Sequence, residues 1–160
     1  MSTLYVDNLQ PNLGSRVMAA GHVVQTVFHQ SSTPRTTTST TYVDTGEVFS
    51  ITPTAASSKV LIVVSGFLSS SAISNYAWLQ LCRGSTVLVP NIVQLDDTAY
   101  SASGHSVGCN YLDSPSSTGQ VDYKLQIKSE STGNTAKLSQ GSSGSSLVQP
   151  LTITLMEIAQ

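Results

Sequence analysis

Charge is what this sequence has least of. Only 10% of its 160 residues are Asp, Glu, Lys or Arg, and the formal net charge is −2. Globular domains average roughly 25% charged residues. No basic run and no acidic tail occurs. This argues against nucleic acid, whose partners carry a clustered basic footprint, and against an anionic membrane surface. Cysteine is equally scarce. Cys82 and Cys109 are the only two, too few for a disulfide framework. Each sits in an apolar strand pattern, so both are expected to be buried free thiols. The longest apolar run, Val60 to Val64, has five residues, whereas a membrane helix needs roughly 20. The opening Met1-Ser-Thr-Leu-Tyr-Val-Asp has neither the basic start nor the apolar centre of an export signal. Synthesis and assembly in a cytoplasm are expected, with no membrane insertion.

What fills the space left by charge is serine and threonine, roughly a quarter of the chain. A surface of uncharged hydroxyls is unusual for a free monomer, because charge keeps monomers soluble and apart. It fits a chain that packs permanently against copies of itself or against other subunits.

The stretch Thr41 to Ser71 organises the chain. Tyr42-Val43 begins a short strand, and Asp44-Thr45-Gly46 reads as a turn. Glu47 to Thr52 leaves it with Phe49 and Ile51 on one face, until Pro53, which has no amide hydrogen for a ladder, stops it. Lys59 then opens Val60-Leu-Ile-Val-Val64, rich in β-branched residues and without alternation, which predicts a central strand covered on both faces.

Other strands follow from valine, threonine and aromatic content or from alternation. They are Gly21 to Gln30, Tyr76 to Arg83, Thr86 to Val89, His105 to Leu112, Val121 to Lys128, Thr135 to Ser139, and Leu151 to Ile158. Arg83-Gly84-Ser85 reads as a hairpin turn, and Pro90 as the end of the following strand. Ser31 to Thr40, Ser69 to Asn75, Asn91 to Gly104, Asp113 to Gln120 and Gln140 to Ser146 read as loops. About ten short strands with no convincing helix predict an all-β protein, and a jelly-roll-like antiparallel β-sandwich is the expected architecture. Residues 1–20 read as an arm with a short connector, and residues 21–160 as the sandwich domain.

Chemistry is hard to place. His22 and His29 are seven apart on one strand, so they face opposite sides, and no set of three or four ligands at workable spacing is visible. No metal and no cofactor are implied. Ser is abundant, but no Gly-x-Ser-x-Gly elbow supports a nucleophile. Asp96-Asp97 are adjacent on an extended chain and point apart, so they make a weak acid–base pair. The chain reads as a non-enzyme. Binding is the better reading, because sandwiches present recognition loops at their ends. Asn91, Asp96, Asp97 and Tyr100 combine hydrogen-bonding groups with one aromatic plate, a mix that suits sugars and equally a subunit contact. Trp78, the only tryptophan, lies between Ala77 and Leu79 and is expected in the core or at a subunit axis rather than as a sugar platform.

Several segments resemble bacteriophage tail-fibre and related virion proteins. Ser2-Thr-Leu-Tyr-Val-Asp-Asn-Leu-Gln10 resembles the short attachment segment that opens many of them. Tyr42-Val-Asp-Thr-Gly46, Ser50-Ile-Thr-Pro53, Ser57-Ser-Lys-Val-Leu-Ile62, Arg83-Gly-Ser-Thr86 and Thr152-Ile-Thr-Leu-Met-Glu-Ile158 resemble their globular domain. The resemblance implies a homotrimeric jelly roll, broadly similar to the tumour-necrosis-factor and complement-globular type, in a virion assembled in a bacterial cytoplasm. It implies docking through Leu4, Tyr5, Val6 and Leu9 onto tail, baseplate or capsid proteins, and a host-surface glycan as possible ligand. Only Pro11 to Ala20 separates arm from sandwich, so a long fibre does not fit. A short tail fibre or tail tip for host attachment is the leading expectation. A capsid decoration protein and a lectin-like module remain the alternatives.

Overall fold

The computed structural model describes residues 19–72, 75–94, 104–141 and 148–160, with residues 93 and 94 described by backbone alone. Ten strands and no helix occur among the described residues. They are β1 (Val23–Ser31), β2 (Arg35–Thr37), β3 (Val43–Ile51), β4 (Lys59–Ser70), β5 (Ala77–Arg83), β6 (Thr86–Gln94), β7 (Gly104–Asp113), β8 (Val121–Ser129), β9 (Ala136–Leu138) and β10 (Leu151–Ile158).

Every strand pairing is antiparallel. The first sheet has the order β1-β10-β4-β9-β2, with β7 also paired to β4; the second has the order β3-β8-β5-β6. β4 is the hub. β7 runs along it from Val60 to Ser69, while the opposite edge is shared, β10 taking Lys59 to Ser65 and β9 taking Leu68 to Ser70. From β3 onward the chain passes repeatedly between the sheets, which gives the wrapping of a jelly roll.

Alternation decides which side chains meet between the sheets. Val121, Tyr123, Leu125 and Ile127 of β8 face Val60, Ile62 and Val64 of β4 and Leu151, Ile153 and Leu155 of β10 across one apolar core. Each fully buried Leu or Ile contributes roughly 1.5–3 kcal/mol of transfer free energy.

Several expectations need correction. Val60 to Val64 is not covered on both faces. Val60, Ile62 and Val64 are buried, but Leu61 and Val63 on the other face are half-buried. The strand also runs on to Ser70, through the start of the expected 69–75 loop. Asp44-Thr45-Gly46 is not a turn but an irregularity inside β3, where the pairing with β8 jumps from Asp44↔Gln126 to Val48↔Lys124. Gly46 takes the positive φ of 80° that this kink requires, and the Thr45 hydroxyl donates to the Leu125 carbonyl at 2.9 Å. Pro90 does not end its strand. β6 continues to Gln94 over a bulge, with pairs Leu79↔Ile92 and Leu81↔Val89 either side and Asn91 at φ 52°. β6 is the outer strand of its sheet, and at a bulge on such an edge a proline sacrifices no ladder bond. The expected loop Ser31 to Thr40 contains β2, whose three residues pair with β9.

Candidate binding faces of the sandwich

Three carboxylates, Glu47, Asp113 and Glu157, lie in the interior, and each is committed to holding the fold. Glu47 of β3 accepts from Ser31 Oγ at 2.8 Å and from Arg35 at 3.0 Å, and lies 3.1 Å from His29 Nε2. Burial works against its ionisation, but the bonds from His29, Ser31 and Arg35 outweigh burial and hold its pKa below the ordinary value. These contacts join the second sheet to β1 and β2 of the first. Asp113, last residue of β7, receives Arg83 Nη1 on both oxygens at 2.8 and 2.7 Å and the Tyr123 hydroxyl at 2.8 Å. Burial, then the hydrogen bond to Asp113, pushes the Tyr123 phenol far up, so it serves as a donor only. Glu157 of β10 is fully buried and accepts from Gln25 Nε2 at 2.7 Å and from the Thr54 amide and hydroxyl at 2.8 and 2.7 Å. Burial opposes its charge, yet Gln25, the neighbouring Ser58 hydroxyl and Thr54 pull its pKa down to about 2. Glu47 and Glu157, held ionised by their donors, are poor general acids. Cys82 is buried and Cys109 half-buried; both are free thiols whose pKa values burial raises, which suppresses thiolate chemistry. Among the described residues no group of three or more His, Cys, Asp or Glu is placed to hold a metal ion.

The two outward faces differ sharply. On the first sheet the outward positions of β1, β10, β4 and β7 between Lys59 and Lys137 carry no charged side chain. Two rows cross it: Phe28, Thr154, Val63 and Asn110, then Thr26, Met156, Leu61 and Leu112. Phe28 is 61% exposed and Leu112 49%. Gly104 lies against the Phe67 ring, leaving no room for a Cβ.

The second sheet faces outward with Asp44, Asp122, Lys124 and Lys128. Asp44 accepts from Gln126 and pairs with Lys124 at 2.9 Å, and both interactions lower its pKa. Ser50 and Gln120 each donate to Asp122 at 2.7 Å and lower its pKa too. These groups border a shallow cleft of about 300 Å³ lined by Asp44, Val48, Gly84, Asp122, Tyr123 and Lys124. At the other end of the face lies an aromatic cluster. Lys128 Nζ sits 5.1 Å from the Tyr42 ring centroid and 5.0 Å from that of Trp78, close enough for attraction to both π-faces. Tyr76 leans on Trp78 at 5.9 Å and 51°. Trp78 Nε1 donates to Glu130 Oε2, and the Tyr42 hydroxyl donates to Asn91 Oδ1 at 3.0 Å. Burial raises the Tyr42 pKa, so the phenol stays a donor.

Of the residues singled out in the sequence, Asn91 belongs to strand β6 rather than to a loop, and it tethers Tyr42. Asp96, Asp97 and Tyr100 lie outside the described residues, as do Leu4, Tyr5, Val6 and Leu9 of the arm. Trp78 is not in the core; it is half-buried on the outward face of the second sheet. Tyr42, Lys128 and Glu130 were not singled out. The alternation of Val121 to Lys128 put Lys128 on the solvent face, but only the strand order shows that Tyr42 and Trp78 flank it. No protein-family model matches the chain, and no curated protein matches it.

Proposed function

We propose that this chain is a self-associating attachment protein of a bacteriophage virion, a short tail fibre or tail tip, that works as a homotrimer. One observation supports self-association above all: the uncharged, partly apolar outward face of the first sheet, with Phe28 61% exposed. A solvated sheet face is ordinarily polar, and a wide apolar face marks an interaction surface. Permanent interfaces bury upwards of about 2,000 Å². The resemblance of the arm and the strand segments to virion proteins supports the attachment role, with Leu4, Tyr5, Val6 and Leu9 as the docking arm.

Sedimentation at micromolar concentration should give a trimer. The double variant Phe28→Asp, Leu112→Asp should give a folded monomer. A wild-type monomer refutes self-association. Antibodies against the chain should label the tail tip of the particle by electron microscopy. Label on the head instead replaces attachment by a decoration role, and unlabelled particles refute both.

A further inference from the structure

We propose that the aromatic end of the second sheet's outward face, centred on Trp78 with Tyr42 and Tyr76, binds a saccharide. This deepens the attachment reading by giving it a ligand class and a site. A pyranose ring has two chemistries at once: an apolar face of C–H groups and a rim of hydroxyls. A site for it needs an aromatic plate beside planar or charged hydrogen-bonding groups. Here Tyr76, 37% exposed, supplies a plate that leans on the half-buried Trp78 ring at 5.9 Å. Glu130 and Asn91 supply exposed acceptors, and Lys128 a donor held between two rings.

The parts are pre-organised. Trp78 is anchored through Nε1 to Glu130, Tyr42 through its hydroxyl to Asn91, and the Lys128 ammonium by both rings. Side chains already fixed lose less freedom when a ligand arrives. Among the described residues, one cation and one anion touch Trp78, Lys128 over its ring and Glu130 at its Nε1, so these two charges balance. That balance favours a hydroxylated ligand over a strongly anionic one.

The rival occupant is a second copy of the chain, and the charge distribution disfavours it. Packing the whole face against protein would strip water from Asp122 and from the Asp44–Lys124 pair, at several kcal/mol for an ion left unmatched. A sugar on Trp78 and Tyr76 leaves Asp122, at the far end of the face, hydrated. The first sheet offers a copy of the chain an outward face with no such charges.

Trp78 is the only tryptophan, so intrinsic fluorescence reports on this site alone. The full chain is titrated with neutral hexose, hexosamine and uronate oligosaccharides, following Trp78 emission. At least one class should shift the emission saturably. Tyr76→Ala, at an exposed position just outside β5, should weaken that binding about fivefold or more. Asp122→Asn, in the cleft at the far end, should leave it within about twofold. No saturable shift with any class, or binding unaltered in Tyr76→Ala, overturns the proposal. So does Trp78 that is closed to iodide quenching in the wild type and open in the Phe28→Asp, Leu112→Asp monomer, since a subunit then covers the site. Loss of sugar binding leaves the sedimentation and labelling outcomes where they stand, so the two readings fail separately.

Discussion

Replacing Glu157 by Gln should remove a measurable, pH-dependent part of the stability. The carboxylate is fully buried and has three donors: Gln25 from β1, and the amide and hydroxyl of Thr54 from the connection between β3 and β4. Its pKa falls from 4.5 to about 2 in the fold. A carboxyl with a lower pKa folded than unfolded adds stability above its unfolded pKa. That increment shrinks as pH falls and is gone below the folded value. The shift corresponds to about 3 kcal/mol at neutral pH. A glutamine must present one NH₂ where an acceptor stood, facing Gln25 Nε2 or the Thr54 amide donor-to-donor. Urea denaturation at fixed protein concentration should therefore show Glu157→Gln about 2–3 kcal/mol less stable at pH 7, a drop of about 1–2 M in the midpoint. The gap should close between about pH 4.5 and pH 2. A variant within about 0.5 kcal/mol of wild type at pH 7 refutes the clamp. A gap that persists unchanged at pH 2 shows that packing, not charge, sets the cost.

Two further perturbations test the backbone and the thiols. Gly46→Ala should cost about 1 kcal/mol in urea denaturation: its φ of 80° strains any Cβ, while the added carbon would lie no closer than 4.0 Å to Arg35 Cζ. A neutral result would mean β3 relaxes out of its kink. Thiol titration should find two free thiols per unfolded chain and slow reaction in the native protein, because burial raises both pKa values; one disulfide, or rapid native labelling at both positions, contradicts this.

Strands with strict alternation were legible in the sequence. Val121 to Lys128 and Leu151 to Ile158 alternate between core and outward side chains as their sequence pattern requires. Local punctuation was not. Asp44-Thr-Gly46 has the chemistry of a turn, yet Thr45 spends its hydroxyl on Leu125, 80 residues away, and the strand continues. Pro90 stops a strand only where a ladder bond is needed from its nitrogen, and on the edge strand β6 a bulge removes that need. Val60 to Val64 lacks alternation because its second face, Leu61 and Val63, belongs to the apolar outward surface of the first sheet rather than to a second core layer. The buried carboxylates were illegible for a different reason. Glu47 is satisfied by residues 12 to 18 positions away, Asp113 by Arg83 at 30, and Glu157 by Gln25 at 132. No local pattern marks them, since the partners meet only when the sheets close.

That internal pairing explains how so few charges can shape the whole surface. Arg35 and Arg83 turn toward buried acids at the seams between the sheets, and Asp44 takes up Lys124. Among the described residues, what is left is distributed unevenly, with Lys128, Glu130 and Asp122 on or beside the second sheet, Lys59 and Lys137 at the margins of the first, and none on its central outward face. The asymmetry orients the proposed assembly. First sheets that turn inward on a threefold axis bury the face that is cheapest to desolvate. The second sheets then point away from the axis, each with its Trp78 cluster accessible. Three modest sites on one rigid body act as one strong site when the target repeats, as a polysaccharide does, because the second and third contacts form at high effective concentration. On this arrangement, breaking the trimer through Phe28 and Leu112 should leave single-sugar affinity at Trp78 unchanged while adhesion to a repeating surface glycan falls about a hundredfold or more. Equal adhesion by monomer and trimer would mean that the three sites do not face a common surface.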